Sequence, residues 1–502
     1  MNILFRVDAS EAIGTGHLIR CLTLANQLKI QGMSTRFICR HLPSHLHSLL
    51  ISSGHEVRML KEKESGFCDD LAHSSWLSVS QETDAAQTIS ELSDLDWDWV
   101  IGDHYGLDIR WDGALRPLVK KILVIDDLAD RSHDCDLLLD QNFYIDMNSR
   151  YAGKVPDSCA LLLGPKYALL REEFRISRLS RNSFIDKVKR VIVFFGGIDA
   201  LNYTGKTIDV LAKLNAGNFY VDVVIGLANP HRQSIEILCR QAKFNCYIQT
   251  EKISELMVAS DLAIGAGGVS IWERCCLGLP SIVIATANNQ IKQISDAAKV
   301  GFVYSPDING NYEAEIASHI FSLIHNKSFR EFISKQGYDA VDGAGTGRVI
   351  RLLTCGQLKM RRAALTDSDQ IYQWRNHEKI RLASRNKDLI KKNNHDNWFL
   401  DIINNTNKLV LIGESSNSPI GVVRFDINNR EAEVSIYLVP EAGIFYGGVE
   451  LLKNAEEWLR NNYKEIDLLK AHVLSDNKKS HNLFIKSGYL VDSIHYLKKV
   501  AK

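Results

Sequence analysis

Short apolar runs alternate with amphipathic stretches along the N-terminal part of the chain. The apolar runs lie at residues 2–8, 34–39, 98–103 and 121–126, and amphipathic segments near 17–31, 85–94 and 108–119 separate them. This alternation favours βαβ units around a parallel sheet. The pattern therefore predicts an N-terminal α/β lobe over residues 1–170.

A second set of apolar runs repeats the same arrangement further along the chain. These runs lie at 188–197, 220–226, 246–250, 261–268 and 279–285. We predict a second α/β lobe over residues 186–355, and we expect a mostly polar hinge at 169–186. Because ligands bind at the carboxyl ends of the strands in open α/β sheets, two facing lobes predict a ligand cleft between them.

The order of elements changes after the segment DGAGTGR at 342–348. From 359 onwards the pattern predicts a strand, two helices, a hairpin at 408–427, a strand at 431–440, a helix at 447–462, a strand at 468–474 and a helix at 477–488. This order differs from that of the two lobes. We therefore predict an independent α+β domain over residues 359–502, of a common domain size.

Composition and charge restrict the classes of function. The 502 residues are 45% hydrophobic and 24% charged, as is typical of globular proteins with several domains. Lys and Arg together number 60, as do Asp and Glu, so we expect no nucleic-acid partner. We also expect no membrane insertion and no export signal. The ten cysteines show neither CxxC nor zinc-ligand spacing, which favours a reducing cytoplasm.

A turn with two glycines follows the first predicted strand. Gly14 and Gly16 would let a diphosphate approach the main chain, and the helix that follows offers unpaired N–H groups. His17 lies in the first turn of this helix, whose positive end disfavours protonation of the ring. We predict a neutral imidazole that activates water beside a diphosphate. The alternative is a histidine that caps or packs the helix.

A second glycine-rich turn lies in the segment GAGGVSIWERCC at 265–276. Gly265, Gly267 and Gly268 precede a predicted helix and suit a second phosphate contact. Glu273 lies one to two turns into this helix, where its carboxylate could accept hydrogen bonds from ribose hydroxyls. The two turns together predict a site for a nucleotide diphosphate.

Segments spread over residues 1 to about 355 carry a family resemblance. They are FRVDASEAIGTGHLIRCLTLA (5–25), DHYGLD (103–108), IDDLADRSHDCDLLLDQN (125–142), GPKYALLREEF (164–174), FFGGIDALN (194–202) and GAGGVSIWE (265–273). This region resembles the UDP-2,4-diacetamido-2,4,6-trideoxy-beta-L-altropyranose hydrolases of pseudaminic acid synthesis. The stretch 265–290 also resembles the donor-binding signature of MurG-like glycosyltransferases. The resemblance implies two Rossmann-like lobes of GT-B type.

The resemblance further implies hydrolysis of a UDP-sugar to UDP and the free sugar, with His17 assisting the attack of water at the anomeric carbon. Because UDP is a good leaving group, this reaction needs a general acid less than ordinary glycosidases do. The implied substrate-binding residues are Asp8, Gly14, Gly16, Arg20, Asp103, Tyr105, Gly196, Gly197, Asp199, Asn202, Gly267, Gly268, Glu273 and Gln290. A glycosyltransferase that passes the sugar to an acceptor is the alternative.

Several of these residues also have a purely structural interpretation. Asp103 and His104 could cap the turn after a strand, and Asp199 and Asn202 could cap the next helix. We expect a solvated turn or a polar substrate contact at residues 126–127, whose two aspartates lack further ligands at metal spacing, and we predict no metal. Trp272 stands where some family members carry a polar side chain.

The C-terminal region resembles the GNAT acyl-CoA N-acetyltransferases. The resemblance rests on SDNKKSHNLFIKSGY (475–489), the strand VSIYLVP and the glycines before 448. Within this superfamily, three further segments resemble the members that act on UDP-4-amino-4,6-dideoxy sugars: RRAALTDSDQIYQWRN, HDNWF (395–399) and GVVRFD (421–426). The resemblance implies a strand that splays from its neighbour, and acetylation of the 4-amino group. The cosubstrate is acetyl-CoA, and its implied ligands are Gly443, Gly447, Gly448, Asn477 and Ser480.

Two departures from the GNAT pattern keep an alternative open. Tyr446 stands where a glycine is expected, and Phe484 stands where many relatives carry the tyrosine that protonates the departing thiolate. A non-catalytic binding module is the alternative. Other residues also have structural interpretations: Asn477 and Ser480 suit a helix start, His395 and Trp398 suit packing, and we assign Trp374 and Trp458 to the core.

Overall fold

The computed structural model describes residues 1–61, 69–180, 187–214, 219–308, 310–355, 358–384, 386–415, 418–440, 448–475 and 477–492. The chain forms two compact units, Met1–Ile350 and Arg351–Lys502. The first unit contains both predicted lobes. Within the described residues, no helix is long and apolar enough to cross a membrane.

The first lobe is built on a parallel sheet. Its elements are β1 (Asn2–Val7), α1 (Gly16–Ile30), β2 (Ser34–Cys39), α2 (Ser44–Ser52), β3 (Glu56–Met59), α3 (Gln81–Ser90), β4 (Trp97–Asp103), α4 (Ile109–Leu115), β5 (Val119–Ile125), β6 (Leu137–Asp140) and β7 (Ala160–Leu163). The strand order is β3-β2-β1-β4-β5-β6-β7, and every described pairing is parallel. The predicted parallel sheet is confirmed, and β1 and β4 lie at its centre.

Three strands of this sheet were not expected from the sequence. Each of β3, β6 and β7 is only four residues long. β3 is largely exposed at the sheet edge, whereas β6 is fully buried. The exposed β3 has no continuous apolar run, and β6 and β7 follow β5 with no described α-helix between them, so the alternation of apolar runs and helices does not mark these strands. β3 forms on the edge of β2, β6 on that of β5 and β7 on that of β6, because each neighbour presents unpaired main-chain groups.

The second lobe repeats the construction. Its elements are α5 (Glu172–Ser180), β8 (Arg190–Phe194), α6 (Tyr203–Leu214), β9 (Tyr220–Ile225), α7 (Arg232–Ala242), β10 (Asn245–Ile248), α8 (Ile253–Ala259), β11 (Leu262–Ala266), α9 (Val269–Cys276), β12 (Ser281–Ile284), α10 (Asn288–Lys299), α11 (Tyr312–His325), α12 (Lys327–Ala340) and α13 (Gly345–Cys355). The order β10-β9-β8-β11-β12 is parallel throughout the described strands. The predicted second α/β lobe is confirmed.

The described part of the predicted hinge is packed against the second lobe. Leu169, Leu170 and Phe174 are all buried. Phe174 lies on α5 and joins the apolar cluster of the second lobe. Residues 181–186 lie outside the described residues. The chain therefore enters the second lobe through an anchored helix, although the segment has many polar residues.

The C-terminal unit has a mixed sheet. Beyond the end of α13, its elements are β13 (Lys359–Arg362), α14 (Ser368–Asn376), α15 (Glu378–Leu382), α16 (Lys392–Asn404), β14 (Lys408–Ser415), β15 (Ser418–Asn428), β16 (Glu431–Leu438), α17 (Gly448–Asn462), β17 (Leu468–Ala471) and α18 (Lys478–Lys486). The strands follow in chain order, antiparallel except for the parallel pair β16 and β17. The predicted α+β order is confirmed, except that three helices, α14, α15 and α16, lie where two were predicted.

The parallel pair separates along its length. Residues Glu431 to Val434 of β16 pair with Leu468 to Ala471 of β17. β16 continues to Leu438, whereas β17 ends at Ala471, so the second half of β16 has no described parallel partner on this side. This is the splay that the acetyltransferase resemblance implies.

Two glycines of α13 offer a matched test of close packing. A Cβ at Gly345 would collide with the carbonyl oxygen of Ala168, whereas a Cβ at the exposed Gly347 would meet nothing within 4 Å. We expect Gly345→Ala to lower the free energy of unfolding by about 2 kcal/mol, because the backbone must shift. Gly347→Ala should raise it by about 0.5 kcal/mol, since alanine is the better helix former. Urea unfolding measures the free energy of unfolding of both variants. An equal change in the two would contradict the close packing of Gly345 against Ala168.

Candidate active site

The first glycine turn faces the second lobe. The chain turns after β1, where Gly14 has a φ of 80° and its N–H donates to the carbonyl of Ser10 at 2.8 Å. A Cβ at Gly14 or Gly16 would meet nothing within 4 Å, so the main chain is open here. A Cβ at Gly197 of the second lobe would lie 3.6 Å from Oγ1 of Thr15. The predicted cleft therefore lies between this turn and the end of β8.

His17 forms a dyad with a buried carboxylate. Its Nδ1 lies 2.6 Å from Oδ1 of Asp103, the last residue of β4. Nη2 of Arg20 also lies 3.1 Å from this nitrogen, but it donates to Asp103 at 2.6 Å. An ionised carboxylate can only accept, so Nδ1 carries the proton and Nε2 of a neutral ring is left as the acceptor. The His17 side chain is 11% exposed.

Arg20 fixes the charge of this carboxylate. Nε and Nη2 of Arg20 donate to the two oxygens of Asp103, both at 2.6 Å. Burial opposes ionisation of Asp103, but Arg20 and His17 overcome it and hold its pKa well below the usual value. Asp103 therefore remains an anionic acceptor for His17. Arg20, one of the implied substrate-binding residues, is 4% exposed and pairs with Asp103 and Asp127, and its contact with substrate stays a prediction.

Asp127 joins further side chains to the dyad. Its Oδ2 accepts from Nη1 of Arg20 at 3.2 Å and from Nδ2 of Asn142 at 3.0 Å, and its Oδ1 accepts from the hydroxyl of Tyr105. The neighbouring Asp126 is fully buried. A solvated turn does not form at these two aspartates, because Asp126 is buried and the half-buried Asp127 is hydrogen-bonded; the alternative that we gave, a polar substrate contact, stays a prediction. The absence of a metal stays a prediction.

An aromatic wall, formed by His73, Trp76 and Tyr105, stands beside His17. The Tyr105 ring packs edge-on against the His17 ring, with their centroids 4.6 Å apart. The Trp76 ring stacks on the Tyr105 ring, with their centroids 5.5 Å apart. The His73 ring lies 4.7 Å from Trp76 and 5.3 Å from Tyr105, and burial lowers the pKa of His73. We missed His73 and Trp76 in the sequence because the short turn that carries them has no known motif.

Asp8 lies beneath the cleft surface. It is fully buried, and its oxygens accept from Nη1 and Nη2 of Arg6 at 2.8 and 3.0 Å and from the N–H of Arg40 at 2.6 Å. Arg6 and Arg40 also donate to Asp84. Asp8, an implied substrate-binding residue, lies inside this buried ion cluster, and its contact with substrate stays a prediction.

Glycines line the second lobe at the ends of its central strands. Gly196 has a φ of 90° and, with Gly197, follows β8; Gly267 and Gly268 follow β11, and Gly268 has a φ of 81° at the start of α9. A Cβ at Gly267 would lie 3.0 Å from Oε1 of Gln290. The two turns lie together at the carboxyl edge of the sheet, where a diphosphate could approach the main chain. Gly265 is instead a buried residue of β11.

Glu273 and Gln290 flank the second turn. Glu273 is 12% exposed, its Oε1 lies 3.4 Å from Nη2 of Arg171, and burial raises its pKa. Gln290 accepts at Oε1 from the N–H of Thr286 at 3.0 Å. Glu273 thus pairs with Arg171, and its contact with ribose hydroxyls stays a prediction.

Asp199 and Asn202 make the capping contacts that we had left open. Asp199 accepts from the N–H groups of Tyr203 and Thr204 at 3.0 and 2.8 Å, and Asn202 accepts from the N–H of Gly205 at 3.1 Å. Both residues have a positive φ, which is uncommon for residues other than glycine. They hold the start of α6 directly after the glycines at the end of β8.

In the C-terminal unit, the described candidates have structural contacts. Gly448 starts α17, where a Cβ would collide with Leu483. Asn477 accepts from the N–H of Ser480 at 3.1 Å and so caps α18. Gly443, Tyr446 and Gly447 lie outside the described residues. The predicted ligands of acetyl-CoA therefore stay a prediction.

Aromatic residues of this unit pack in its interior. His395 is 1% exposed, its Nε2 contacts the carbonyl of Ser368 at 2.9 Å, and burial lowers its pKa. Trp398 and Trp458 are partly buried against apolar clusters, and Trp374 is buried, which confirms its assignment to the core. His395 thus makes the packing contacts that were the alternative to substrate binding.

Comparison with known protein families identifies part of the second lobe. Residues 191–304 match the Glycosyltransferase family 28 C-terminal domain. The chain is 24% identical to "Uncharacterized protein MJ1062" of Methanocaldococcus jannaschii, over 97% of this chain and 96% of that protein. It is 26% identical to the UDP-2,4-diacetamido-2,4,6-trideoxy-beta-L-altropyranose hydrolase of Campylobacter jejuni, over 60% of this chain and 98% of the hydrolase. The resemblance to this hydrolase is confirmed.

Solved structures resemble the two units separately. MurG of Acinetobacter baumannii matches with a TM-score of 0.48 and 15% identity over 70% of this chain and 99% of its own length. Spermidine N-acetyltransferase of Vibrio cholerae matches with a TM-score of 0.25 and 20% identity over 27% of this chain and 83% of its own length. The strand orders by themselves show a two-lobed α/β region followed by an α+β domain.

Burial of His104 predicts a pH dependence of stability. This residue is 4% exposed, its Nδ1 accepts from the N–H of Gly106 at 3.0 Å, and burial lowers its pKa to about 4. Between pH 6.5 and about 4 the unfolded chain binds this proton and the folded chain does not, so stability falls as the pH falls. We expect His104 to account for about 2 kcal/mol of the loss between pH 7 and 4.5.

Urea unfolding at the two pH values measures this loss. His104→Asn can still accept from the Gly106 N–H but does not titrate in this range, so the variant should lose about 2 kcal/mol less than the wild type. An equal loss in both proteins would show that His104 is protonated in the folded state.

Proposed function

We propose that the first unit hydrolyses a UDP-2,4-diacetamido-2,4,6-trideoxy sugar to UDP and the free sugar. The observation that carries this proposal is the dyad of His17 and Asp103 at a glycine turn that faces the second lobe. The similarity to the hydrolase, which extends over 98% of that protein, supports the same reaction and a place in pseudaminic acid synthesis. We further propose that the protein works in the cytoplasm.

In this mechanism His17 is the general base. Nε2 takes a proton from water as the water oxygen bonds to the anomeric carbon, and the bond from that carbon to the UDP oxygen breaks. Asp103 stays ionised and stabilises the imidazolium that forms. The proton then passes to solvent, and UDP leaves as an anion. The pairing of Asp103 with Arg20 and His17 suits this role, since its low pKa prevents it from taking the proton itself.

The two glycine turns would hold the diphosphate. Gly14 and Gly16 lead into α1, and Gly267 and Gly268 lead into α9, so main-chain N–H groups of two helix starts converge on the cleft. We assign to Glu273 on α9 the role of accepting hydrogen bonds from ribose hydroxyls. This arrangement stabilises the charge that develops on the leaving group.

The aromatic wall would hold the sugar. Trp76 and Tyr105 present ring surface directly beside His17. A 6-deoxy sugar with two acetamido groups carries three methyl groups, and apolar aromatic surface favours such groups over hydroxyls. The wall therefore suits the proposed substrate better than a fully hydroxylated hexose.

A glycosyltransferase is the second candidate for the first unit. The match of residues 191–304 to a glycosyltransferase domain favours it. Such an enzyme passes the sugar to an acceptor, whereas the hydrolase consumes the UDP-sugar in water alone. Release of UDP without any acceptor therefore separates the two.

Substitutions in the dyad test the hydrolysis. We expect His17→Ala to lower kcat for UDP release by at least about 100-fold. Asp103→Asn should lower kcat by about 100- to 10,000-fold with little change in KM, because an amide can hold the ring in the wrong tautomer. Asp94→Asn, which alters an exposed carboxylate paired with Arg36 and remote from His17 in sequence and in its contacts, serves as the control and should keep wild-type activity. Unchanged UDP release in His17→Ala would refute the proposed base.

We also propose that the C-terminal unit acetylates the 4-amino group of the precursor UDP-amino sugar with acetyl-CoA. The splay between β16 and β17 supports this, because it exposes main-chain groups to which a pantetheine arm could bond. Phe484 is 7% exposed and packs against Tyr489, so it contributes to the core of this unit. Water or another group would then protonate the departing thiolate.

Mass spectrometry of the reaction products tests this second activity. With a UDP-4-amino-4,6-dideoxy sugar and acetyl-CoA, the full chain should add one acetyl group, release CoA and then release UDP. His17→Ala should accumulate the acetylated UDP-sugar, because the first step does not need the dyad. Acetyl-CoA that binds without forming an amide would instead show a non-catalytic binding module.

A further inference from the structure

A buried polar contact joins the two lobes behind the cleft. Trp272 on α9 is fully buried, and its Nε1–H donates to Oδ1 of Asn142 at 3.0 Å. Nε2 of Gln293, on α10, donates to the same oxygen at 2.8 Å. Asn142 follows β6 of the first lobe and is 5% exposed. Two side chains of the second lobe thus converge on one amide of the first.

The Asn142 amide has only one orientation that satisfies its partners. Its oxygen faces two donors, the indole N–H of Trp272 and the amide of Gln293. Its nitrogen donates to Oδ2 of Asp127 at 3.0 Å, and a carboxylate can only accept. A flipped amide would place donor against donor and acceptor against acceptor in a buried site, which is costly. The contact with the second lobe therefore fixes the direction of the hydrogen bond to Asp127.

This hydrogen bond continues to the dyad. Oδ2 of Asp127, the atom that accepts from Asn142, also accepts from Nη1 of Arg20 at 3.2 Å. Arg20 holds both oxygens of Asp103, and Asp103 holds His17. An unbroken series of hydrogen bonds thus runs from Trp272 to the ring of His17. Trp272 is four residues after Gly268, so the second glycine turn and this contact lie on the same helix.

We infer that Asn142 and Trp272 are positioning residues that align the dyad of His17 and Asp103 when the second lobe is seated on the first. This inference rests on the proposed hydrolysis. Neither side chain reaches the cleft surface, so both act through Asp127 and Arg20. The second lobe then contributes to catalysis in two ways, through its glycine turn and through the orientation of the base in the first lobe.

Trp272→Phe removes the indole N–H and keeps an aromatic ring in the core. We expect kcat for UDP release to fall about tenfold with little change in KM, since a small displacement of the base slows the reaction more than it weakens binding. If Trp272 acts through the dyad, its effect on kcat should largely disappear in an Asp103→Asn background, where the dyad is already disrupted. Independent, multiplicative losses would overturn the inference.

Trp97→Phe is the matched control. Trp97 is 3% exposed and its Nε1–H donates to the carbonyl of Leu92 at 3.1 Å, at the opposite end of β4 from Asp103. Both substitutions remove one buried indole N–H, so both should lower the urea concentration at the midpoint of unfolding to a similar extent. Only Trp272→Phe should lower kcat. A kcat equal in the two variants would assign Trp272 a purely structural role.

Nuclear magnetic resonance of the full chain with ¹⁵N-labelled histidine gives a readout that needs no turnover. The Nδ1–H of His17, bonded to Asp103, should give a downfield proton signal in the wild type and in Trp97→Phe. This signal should exchange faster with water in Trp272→Phe, and an unchanged signal would refute the inference. If the wild type fails to release UDP, the proposed hydrolysis is wrong, and this comparison still tests whether the contact reaches His17.

Discussion

The carboxylate of Asp103 is the constraint on which the site depends. A charge buried inside a lobe must be paired, because its desolvation is otherwise too costly. Arg20 supplies the pairing from α1, and the hydrogen bond from His17 completes it. The same bonds that make burial tolerable also fix the tautomer of His17 and point its free nitrogen towards the cleft. Stability of the charge and orientation of the base thus have one cause.

Other buried charges of the first lobe follow the same rule. Asp8 and Asp84 are paired with Arg6 and Arg40, and Asp126 is paired with Arg131. Buried ion pairs add little net stability, but removing one partner is strongly destabilising. The carboxyl edge of the first sheet is therefore built as a rigid polar layer. This layer supports the dyad and leaves the cleft surface to the glycine turns, His17 and the aromatic wall.

The two units leave main-chain groups exposed in different ways. In the first unit, glycines at strand ends leave the main chain open towards the cleft, and Asp199 and Asn202 fix one of these turns by capping α6. In the C-terminal unit, the strands β16 and β17 separate and leave main-chain groups of one strand without a parallel partner. Gly448 there serves close packing of α17 on Leu483. In both units, main-chain groups are exposed while the strands and helices around them remain folded.

Local patterns in the sequence determined the order of the main elements and the position of His17. Apolar runs bounded by turns form strands wherever both faces are buried, so β1, β4 and β8 could be predicted. The exposed β3 could not, nor could β6 and β7, which follow β5 with no described α-helix between them. The strand, glycine turn and helix around His17 are contiguous in the chain, and the interactions that form them are local.

Only the tertiary structure decided what the polar residues do. Asp103 is 86 positions from His17, and Asn142 is 130 positions from Trp272, so no local pattern links them. The family resemblance implies that Asp8 and Arg20 bind the substrate, which stays a prediction. The fold gives each of them buried charged partners, Arg6 for Asp8 and Asp103 with Asp127 for Arg20. The reason is physical: a charge is paired with whatever the fold brings within about 3 Å, and sequence spacing does not record that distance.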